Sequence, residues 1–187
     1  MIPVVLLPAT APDNPRYGQA PEVVDGVEGI EVHRVQFPIQ VWYNAEVRRQ
    51  TWVQIGAFTR EPVVLVGFSK SGSGALGLAL DRPELVRSVL VFDAPVDRWD
   101  LPPWDTEDFY DQARWEADLP MAQMGRVCRV FNQRRLVHVG GASFSEDHRV
   151  FAQALSQGGA DHVWIEDEER VHHWDSGWLA AYLERAL

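Results

Sequence analysis

The sequence predicts an α/β fold in which a three-layer, mostly parallel sheet carries helices on both faces. Three observations support this. Short apolar runs, most of them bounded by Pro, Gly or Asp, alternate along the chain with segments of helical periodicity. The runs at 63–67 and 88–92 are almost continuously apolar, which is typical of central strands covered on both faces. Helical segments separate most of the runs, as the crossover connections of a parallel sheet require.

The predicted elements follow one another in a regular order. Strands are predicted at 2–7, 30–36, 63–67, 88–92, 135–139 and 162–166. Helices are predicted at about 44–58, 72–81, 147–157 and 175–186. In the last helix, large apolar residues recur at helical spacing and indicate core packing: Trp178, Leu179, Tyr182, Leu183 and Leu187.

One segment, 94–134, interrupts this alternation between two predicted strands. It is rich in aromatic residues and has three prolines before Asp105. We expect an insertion that folds over one end of the sheet and is partly helical around 105–118. The chain has no repeat, and its length suits one core, so residues 1–187 are expected to form a single α/β domain.

The composition narrows the classes of function. The chain has 17 Lys and Arg residues against 27 Asp and Glu residues, which gives a net charge of −10. Without a basic stripe, this balance argues against nucleic acid and anionic membranes as partners. No run approaches the roughly 18 apolar residues of a membrane span, and the apolar start lacks the basic region of a signal peptide. The single cysteine, Cys128, excludes an internal disulfide, and a cytoplasmic protein is expected.

Residues 63–80, VVLVGFSKSGSGALGLAL, contain two neighbouring loop motifs. The stretch from Gly72 to Gly77 fits the G-x-G-x-x-G pattern of dinucleotide binding, and Asp93 ends the next strand, where a ribose-binding acid is expected. In that fold the first glycine follows its strand almost directly, whereas here four residues intervene. The three glycines are therefore expected inside the following helix, where Gly74 and Gly77 would allow close packing.

The other motif, Gly67-Phe68-Ser69-Lys70-Ser71, nearly fits the G-x-S-x-G turn that presents a nucleophilic serine between a strand and a helix. Gly67 lets the strand approach the helix, and Ser71 replaces the usual second glycine with another small residue. The backbone N–H of Lys70 stands at the predicted helix start, where it can donate to a developing oxyanion. Ser69 is therefore the candidate nucleophile, with a helix N-cap as its alternative role.

A serine hydroxyl needs a base to take its proton, and the base is expected after the last strand of such a sheet. Residues 170–179, RVHHWDSGWL, follow that strand and place either His172 or His173 in position. The alternative is that both are exposed loop residues. A metal site is disfavoured because no third ligand stands at metal spacing.

These motifs resemble those of the α/β-hydrolases, close to their small esterase branch. The resemblance extends over roughly 60–187 and implies a trimmed α/β-hydrolase fold, in which two leading strands are missing and the run at 2–7 precedes the oxyanion loop. In the His-x-Trp pattern of these hydrolases, His172 corresponds to the histidine and His173 to the variable residue, so the resemblance selects His172 as the base. The segments that carry it are VLVGFSKSG at 64–72, VFDAP at 91–95 and HHWDSGWL at 172–179.

The sequence departs from the family pattern in two places. No His-Gly-Gly motif follows the first strand, so the second oxyanion donor is expected to be the backbone N–H of Ala9 or Thr10. The acid of most such hydrolases follows the penultimate strand, at a position where this chain has Phe144. Two carboxylates can replace it. Asp93 is favoured over Asp147, because an acid in a first helical turn is explained by the helix dipole alone.

The predicted function is a serine hydrolase, a carboxylic-ester hydrolase that acts on a small-molecule ester through Ser69, His172 and Asp93. The sequence does not separate esterase from thioesterase or amidase. No cofactor and no metal are expected, and the aromatic segment is expected to wall an apolar pocket. Two other classes stay open: a non-catalytic binding protein on a hydrolase fold, and a dinucleotide-binding oxidoreductase.

Overall fold

Six strands form one sheet in the computed structural model, which describes residues 1–10, 14, 24 and 27–187. The strands are β1 (Ile2–Leu6), β2 (Ile30–Arg34), β3 (Val63–Phe68), β4 (Val86–Phe92), β5 (Arg135–Gly140) and β6 (His162–Glu166). Every neighbouring pair is parallel, in the order β2-β1-β3-β4-β5-β6. The predicted strands are thereby confirmed, with boundaries that differ by at most two residues.

Within the described residues, six α-helices connect or follow these strands. They are α1 (Ala45–Phe58), α2 (Lys70–Asp81), α3 (Gln112–Asp118), α4 (Met124–Phe131), α5 (Ser145–Gln157) and α6 (Trp178–Tyr182). Helix α6 begins three residues later than predicted because Gly177, with φ 83°, turns the chain just before it. A 3₁₀ turn at Leu183–Arg185 then continues it.

Alternate residues of the central strands enter two separate cores, one on each face of the sheet. Val5 and Leu65 belong to the first core, and Val4, Leu6 and Val64 belong to the second. Helices α1, α2, α4 and α5 contribute to the first core, and α6 contributes to the second. The predicted three-layer α/β fold is therefore confirmed.

The connection between β4 and β5 contains more helix than the sequence predicts. A 3₁₀ turn at Thr106–Asp108 and helix α3 lie in the part predicted to be helical. Helix α4 lies beyond it and buries Val127 and Phe131 in the first core. Tyr110 and Trp115, earlier in the connection, pack differently: Trp115 meets Trp42 edge-on at 5.3 Å, in a small cluster apart from both cores. This part of the chain thus joins the helical layer at one end and forms its own apolar cluster at the other.

The carboxyl ends of all six strands meet at one edge of the sheet, because the strands are parallel. Ser69 directly follows β3, and Asp93 directly follows β4. In parallel α/β sheets this edge is where ligands bind. Most of the predicted oxyanion loop after β1 lies outside the described residues, apart from its start at Pro8, Ala9 and Thr10. Among the helices described, none has the length and apolar character that crossing a membrane would need.

Candidate active site

Ser69 stands in a sharp turn between β3 and α2. Its backbone has φ 54° and ψ −128°, a conformation that residues with side chains rarely adopt. The Ser69 N–H donates to the Phe92 carbonyl at 2.9 Å, which ties the turn to the end of β4. The side chain makes no capping hydrogen bond to the helix. The hydroxyl oxygen instead lies 3.0 Å from Nε2 of His172, so the N-cap alternative is not supported.

Two small residues make this turn possible. A Cβ atom at Gly67 would lie 2.2 Å from the Ser71 carbonyl oxygen, so no side chain fits there without a shift of the backbone. Ser71 is fully buried, and its hydroxyl accepts the Phe68 N–H at 3.0 Å. The same hydroxyl lies 3.0 Å from the carbonyl oxygen of Leu7. A serine at the usual glycine position therefore links the turn to the end of β1.

The glycines of the G-x-G-x-x-G pattern lie inside α2, as the sequence analysis expected. A Cβ at Gly74 would lie 2.3 Å from the Tyr43 ring, and one at Gly77 would lie 2.8 Å from the Arg48 side chain. These glycines allow α2 to pack closely, and no glycine-rich loop stands at the start of the helix to receive a pyrophosphate. Across residues 1–10, 14, 24 and 27–187, no group of three or more His, Cys, Asp or Glu side chains is arranged to hold a metal ion.

His172 lies in the loop between β6 and α6, and a buried tryptophan anchors that loop. Trp174 is 1% exposed, and its ring centroid lies 5.3 Å from that of Phe68. The ring of His172 also packs on Phe68, at 4.7 Å. Nδ1 of His173, by contrast, accepts a backbone N–H from within the same loop. Of the two adjacent histidines, His172 is the one that the structure brings to Ser69.

Asp93 is fully buried at the end of β4, with a positive φ of 41°. Its Oδ2 lies 2.6 Å from Nδ1 of His172. Its Oδ1 accepts the backbone N–H groups of Gly141 at 2.9 Å and Phe144 at 2.8 Å. Burial favours the neutral acid, but His172 and these N–H groups outweigh it and lower the pKa of Asp93 below its usual 3.8. The site therefore holds a carboxylate against the imidazole.

The loop after β5 binds the Asp93 carboxylate through its backbone N–H groups. Phe144 occupies the position where most α/β-hydrolases would carry the acid, and its N–H binds Asp93 while its ring lies 5.4 Å from that of His172. Asp147, the alternative acid, stands in the first turn of α5 beside Arg98, and burial raises its pKa above the usual 3.8. The structure thus brings Asp93 to His172 and places Asp147 elsewhere.

Sequence reasoning missed a pair of buried histidines behind Asp93. Nε2 of His148 accepts the backbone N–H of Ala94 at 2.9 Å, and its Nδ1 lies 3.1 Å from Nδ1 of His138. Burial lowers the pKa of His148 to about 4 and that of His138 well below its usual 6.5. The signal for His138 was present, because it stands among apolar residues in the middle of a predicted strand.

Lys70 and Ala9, whose backbone N–H groups are the candidate oxyanion donors, line the space in front of Ser69. Lys70 begins α2, where the helix dipole adds positive potential, and Ala9 follows β1. Within the part of the chain that the structure describes, neither N–H donates a hydrogen bond to another backbone group. Thr10, the other candidate of the sequence analysis, borders the same space.

A cavity of about 460 Å³ opens over these groups. Ser69 and His172 both line it. Its further walls include Trp42, Lys70, Pro95, Arg98, Trp104 and Phe144. Three of these residues come from the segment 94–134, which the sequence analysis expected to wall a pocket.

Solved structures share this fold at low sequence identity. A ferulic acid esterase matches 99% of this chain and 82% of its own, with 10% identity and a TM-score of 0.68. Esterase B from Lactobacillus rhamnosis matches 99% and 74%, with 14% identity and a TM-score of 0.61. The S-formylglutathione hydrolase of Staphylococcus aureus matches 99% and 78%, with 12% identity and a TM-score of 0.61. No curated protein sequence matches the chain.

A protein-family model matches the part of the chain that contains Ser69, Asp93 and His172. The family is described as "Putative esterase", and the match extends over residues 48–175, which is more than half of the chain. It includes the turn at Ser69, Asp93 and His172. The chain therefore belongs to this esterase family on the α/β-hydrolase fold and is a hydrolase of the carboxylesterase type.

Proposed function

We propose that the protein hydrolyses small-molecule carboxylic esters by a serine mechanism in which Ser69, His172 and Asp93 form a catalytic triad. One observation carries the proposal: the Ser69 hydroxyl lies 3.0 Å from His172 Nε2, while Nδ1 of the same ring lies 2.6 Å from Asp93 Oδ2. A hydroxyl, an imidazole and a buried carboxylate, hydrogen-bonded in this order, are the groups that acyl transfer to water needs.

In the first half of the reaction, Ser69 Oγ attacks the ester carbonyl while Nε2 of His172 takes the hydroxyl proton. The backbone N–H groups of Lys70 and Ala9 donate to the oxyanion of the tetrahedral intermediate. The intermediate collapses to an acyl-serine, and His172 returns the proton to the departing alcohol. Asp93 keeps the proton of the imidazole on Nδ1 and stabilises the imidazolium.

In the second half, a water molecule attacks the acyl-serine. His172 takes the proton of the water, and when the second intermediate collapses, the bond between the carbonyl carbon and Ser69 Oγ breaks and His172 returns the proton to Oγ, which releases the acid and restores the Ser69 hydroxyl. The cavity of about 460 Å³ supports a small substrate, because it lies within the size range of small-molecule sites. The same two N–H groups donate to the oxyanion of the second intermediate.

A fluorophosphonate probe tests the nucleophile, because it labels a serine only when a base activates the hydroxyl. We expect the wild-type protein to be labelled on Ser69 and to hydrolyse short p-nitrophenyl esters. Ser69→Ala should abolish both the labelling and the hydrolysis. Its melting temperature should stay within a few degrees, since the side chain leaves no buried cavity behind.

Ser73→Ala is the matched control, because Ser73 lies one turn into the same helix and its hydroxyl binds the Pro95 carbonyl at 2.9 Å. This variant should keep the label. Labelling of Ser73 or Ser71 in place of Ser69 would refute the assignment. A folded wild-type protein that takes no label and hydrolyses no ester would favour the binding-protein alternative.

A further inference from the structure

The cavity over Ser69 has a charge opposite to that of the whole protein. The chain carries a net charge of −10, yet the cavity is lined by two cationic side chains, Lys70 and Arg98, and by no carboxylate among the described residues. Charges are screened over about 8 Å at physiological salt, so acids on distant surfaces contribute little inside the cavity. Asp105 and Asp147 are the nearer acids whose charges act on Lys70 and Arg98, and neither of them lines the cavity. An anionic group would be attracted once it entered.

Lys70 is the only lysine of the sequence, and it adjoins Ser69. Its ammonium nitrogen lies 4.9 Å from the centroid of the Trp42 ring, which also lines the cavity. Within the described residues, no carboxylate lies close enough to form an ion pair with it, although the charge of Asp105 acts on it from a distance. Burial lowers the pKa of Lys70 to about 8. The ammonium is thus partly desolvated without a close anion, and an anionic ligand would relieve that cost.

Arg98 stands on another wall of the cavity. Its guanidinium carbon lies 5.4 Å from the centroid of the Phe144 ring, and Phe144 in turn contacts His172. A guanidinium that stacks on a ring through its face keeps its N–H edge available for a carboxylate. Asp147 lies near enough for the two charges to interact, but no ion pair between them is formed in the described part of the chain.

We infer that Lys70 and Arg98 form an anion-binding subsite, and that the preferred substrate is a small ester bearing a carboxylate a few atoms from the scissile bond. The inference rests on the proposed function and adds a substrate class to it. An ammonium that is partly buried beside Trp42 and a more exposed guanidinium on the Phe144 ring match an anion, because no ion pair with a carboxylate occupies either group within the described residues. The neutral remainder of the ester would lie against Trp42, Pro95 and Trp104.

Matched ester pairs test the substrate class. In the first pair, p-nitrophenyl hydrogen glutarate differs from p-nitrophenyl valerate only by a carboxylate in place of the terminal methyl group of the acyl chain. In the second pair, 3-carboxypropyl butyrate differs from butyl butyrate in the same way on the alcohol side. We expect the anionic member of at least one pair to have a kcat/KM about tenfold higher or more, and the pair that shows it identifies the side that carries the anion.

Variants connect this preference to the two residues. Arg98→Gln and Lys70→Gln should each lower the ratio of kcat/KM between the anionic and the neutral ester by about tenfold. Arg129→Gln is the control, because Arg129 is an exposed cation on α4 and lines no part of this cavity. It should leave both kcat/KM values of the preferred pair unchanged.

Binding measured without turnover keeps the inference separate from the proposed function. Glutarate should raise the melting temperature of the Ser69→Ala protein, and Arg98→Gln in that background should remove the shift. Equal kcat/KM values within both ester pairs, or a preference that survives both substitutions, would overturn the subsite. Absence of hydrolysis and probe labelling, together with a glutarate shift that depends on Arg98, would overturn the proposed mechanism and support the subsite.

Discussion

His172 and His148 contact two consecutive residues at the end of β4, Asp93 and Ala94, but the surroundings of the two imidazole rings differ. His172 lies 2.6 Å from the Asp93 carboxylate, with its side chain 22% exposed at the cavity. His148 accepts the N–H of the next residue, Ala94, and is fully buried. One imidazole is open to a substrate on one side and held by a carboxylate on the other. The second has no access to solvent. The contrast shows that the function of a histidine at this edge is set by its environment.

The buried pair is arranged so that neither ring needs a charge. His148 accepts the Ala94 N–H at Nε2, so its own proton must be on Nδ1, where it donates to Nδ1 of His138. This arrangement puts the proton of His138 on Nε2, which has no hydrogen-bond partner within the described residues. Burial keeps both rings neutral by lowering the pKa of each. We therefore expect the pair to support the backbone beneath Asp93 and to take no part in proton transfer.

The largest expected effect comes from removing the accessible histidine. His172→Ala should lower kcat for an activated ester by about 10⁶, the loss found when the base of a serine protease is removed. Stability should change little, because the side chain is not fully buried. His173→Ala is the control and should stay within several-fold of wild type. The comparison is checked by kcat together with the melting temperature, and a large loss at His173 alone would reverse the assignment.

The next effect concerns the acid. Asp93→Asn preserves the shape of the side chain but favours the wrong imidazole tautomer, which lowers kcat by about 10⁴ in a serine protease. Asp147→Asn should stay within several-fold of wild type, since the structure brings Asp93 and not Asp147 to His172. Steady-state kinetics on one activated ester compares the two. Small losses at both positions would indicate a Ser-His dyad, and a large loss at Asp147 alone would make Asp147 the acid.

The smallest effect is on stability and depends on pH. The pKa of His148 is lowered from 6.5 to about 4, so between these values the unfolded chain binds a proton that the folded protein does not. The free energy of unfolding should therefore fall as pH falls from 6.5 to 4, by about 3 kcal/mol from this residue. The lowered pKa of Asp93 adds a further loss below about pH 4.

Urea denaturation between pH 7 and pH 4.5 measures this slope. His148→Leu fills a similar volume but cannot titrate, so its unfolding free energy should start lower at pH 7 and fall less steeply. Equal slopes in the two proteins would show that His148 does not carry the effect. The contrast drawn between His148 and His172 would then fail, because a histidine that stays neutral in the folded protein but binds a proton in the unfolded chain must lower the free energy of unfolding in acid.

Local signals predicted the strands, most helices and the serine turn. Gly67, Ser69 and Ser71 lie within five residues. The sharp turn they form needs small side chains at fixed positions, so the sequence pattern alone predicts it. Local signals alone do not select Asp93, because no local pattern shows which carboxylate reaches a histidine 79 residues further along the chain.

Other parts of the site depend on contacts between distant segments and left no such pattern. The Phe144 N–H reaches Asp93 across 51 residues, and His148 reaches Ala94 across 54. A backbone N–H donor has no sequence signature, since every residue except proline carries one. Helix α4 was missed because it lies late in the segment 94–134, after the run of tryptophans and prolines whose irregular pattern conceals where the helical periodicity resumes.

The hydrogen bond from the Ser71 hydroxyl indicates when the site assembles during folding. It joins the turn after β3 to Leu7 at the end of β1, a contact between residues 64 positions apart. The groups proposed for catalysis come from the ends of β1, β3 and β4 and from the loop after β6, so they assemble only when strands from almost the whole chain have paired. Such non-local pairing is slow in parallel sheets. Recovery of esterase activity after dilution from denaturant would therefore report the last steps of folding, after most of the secondary structure has formed.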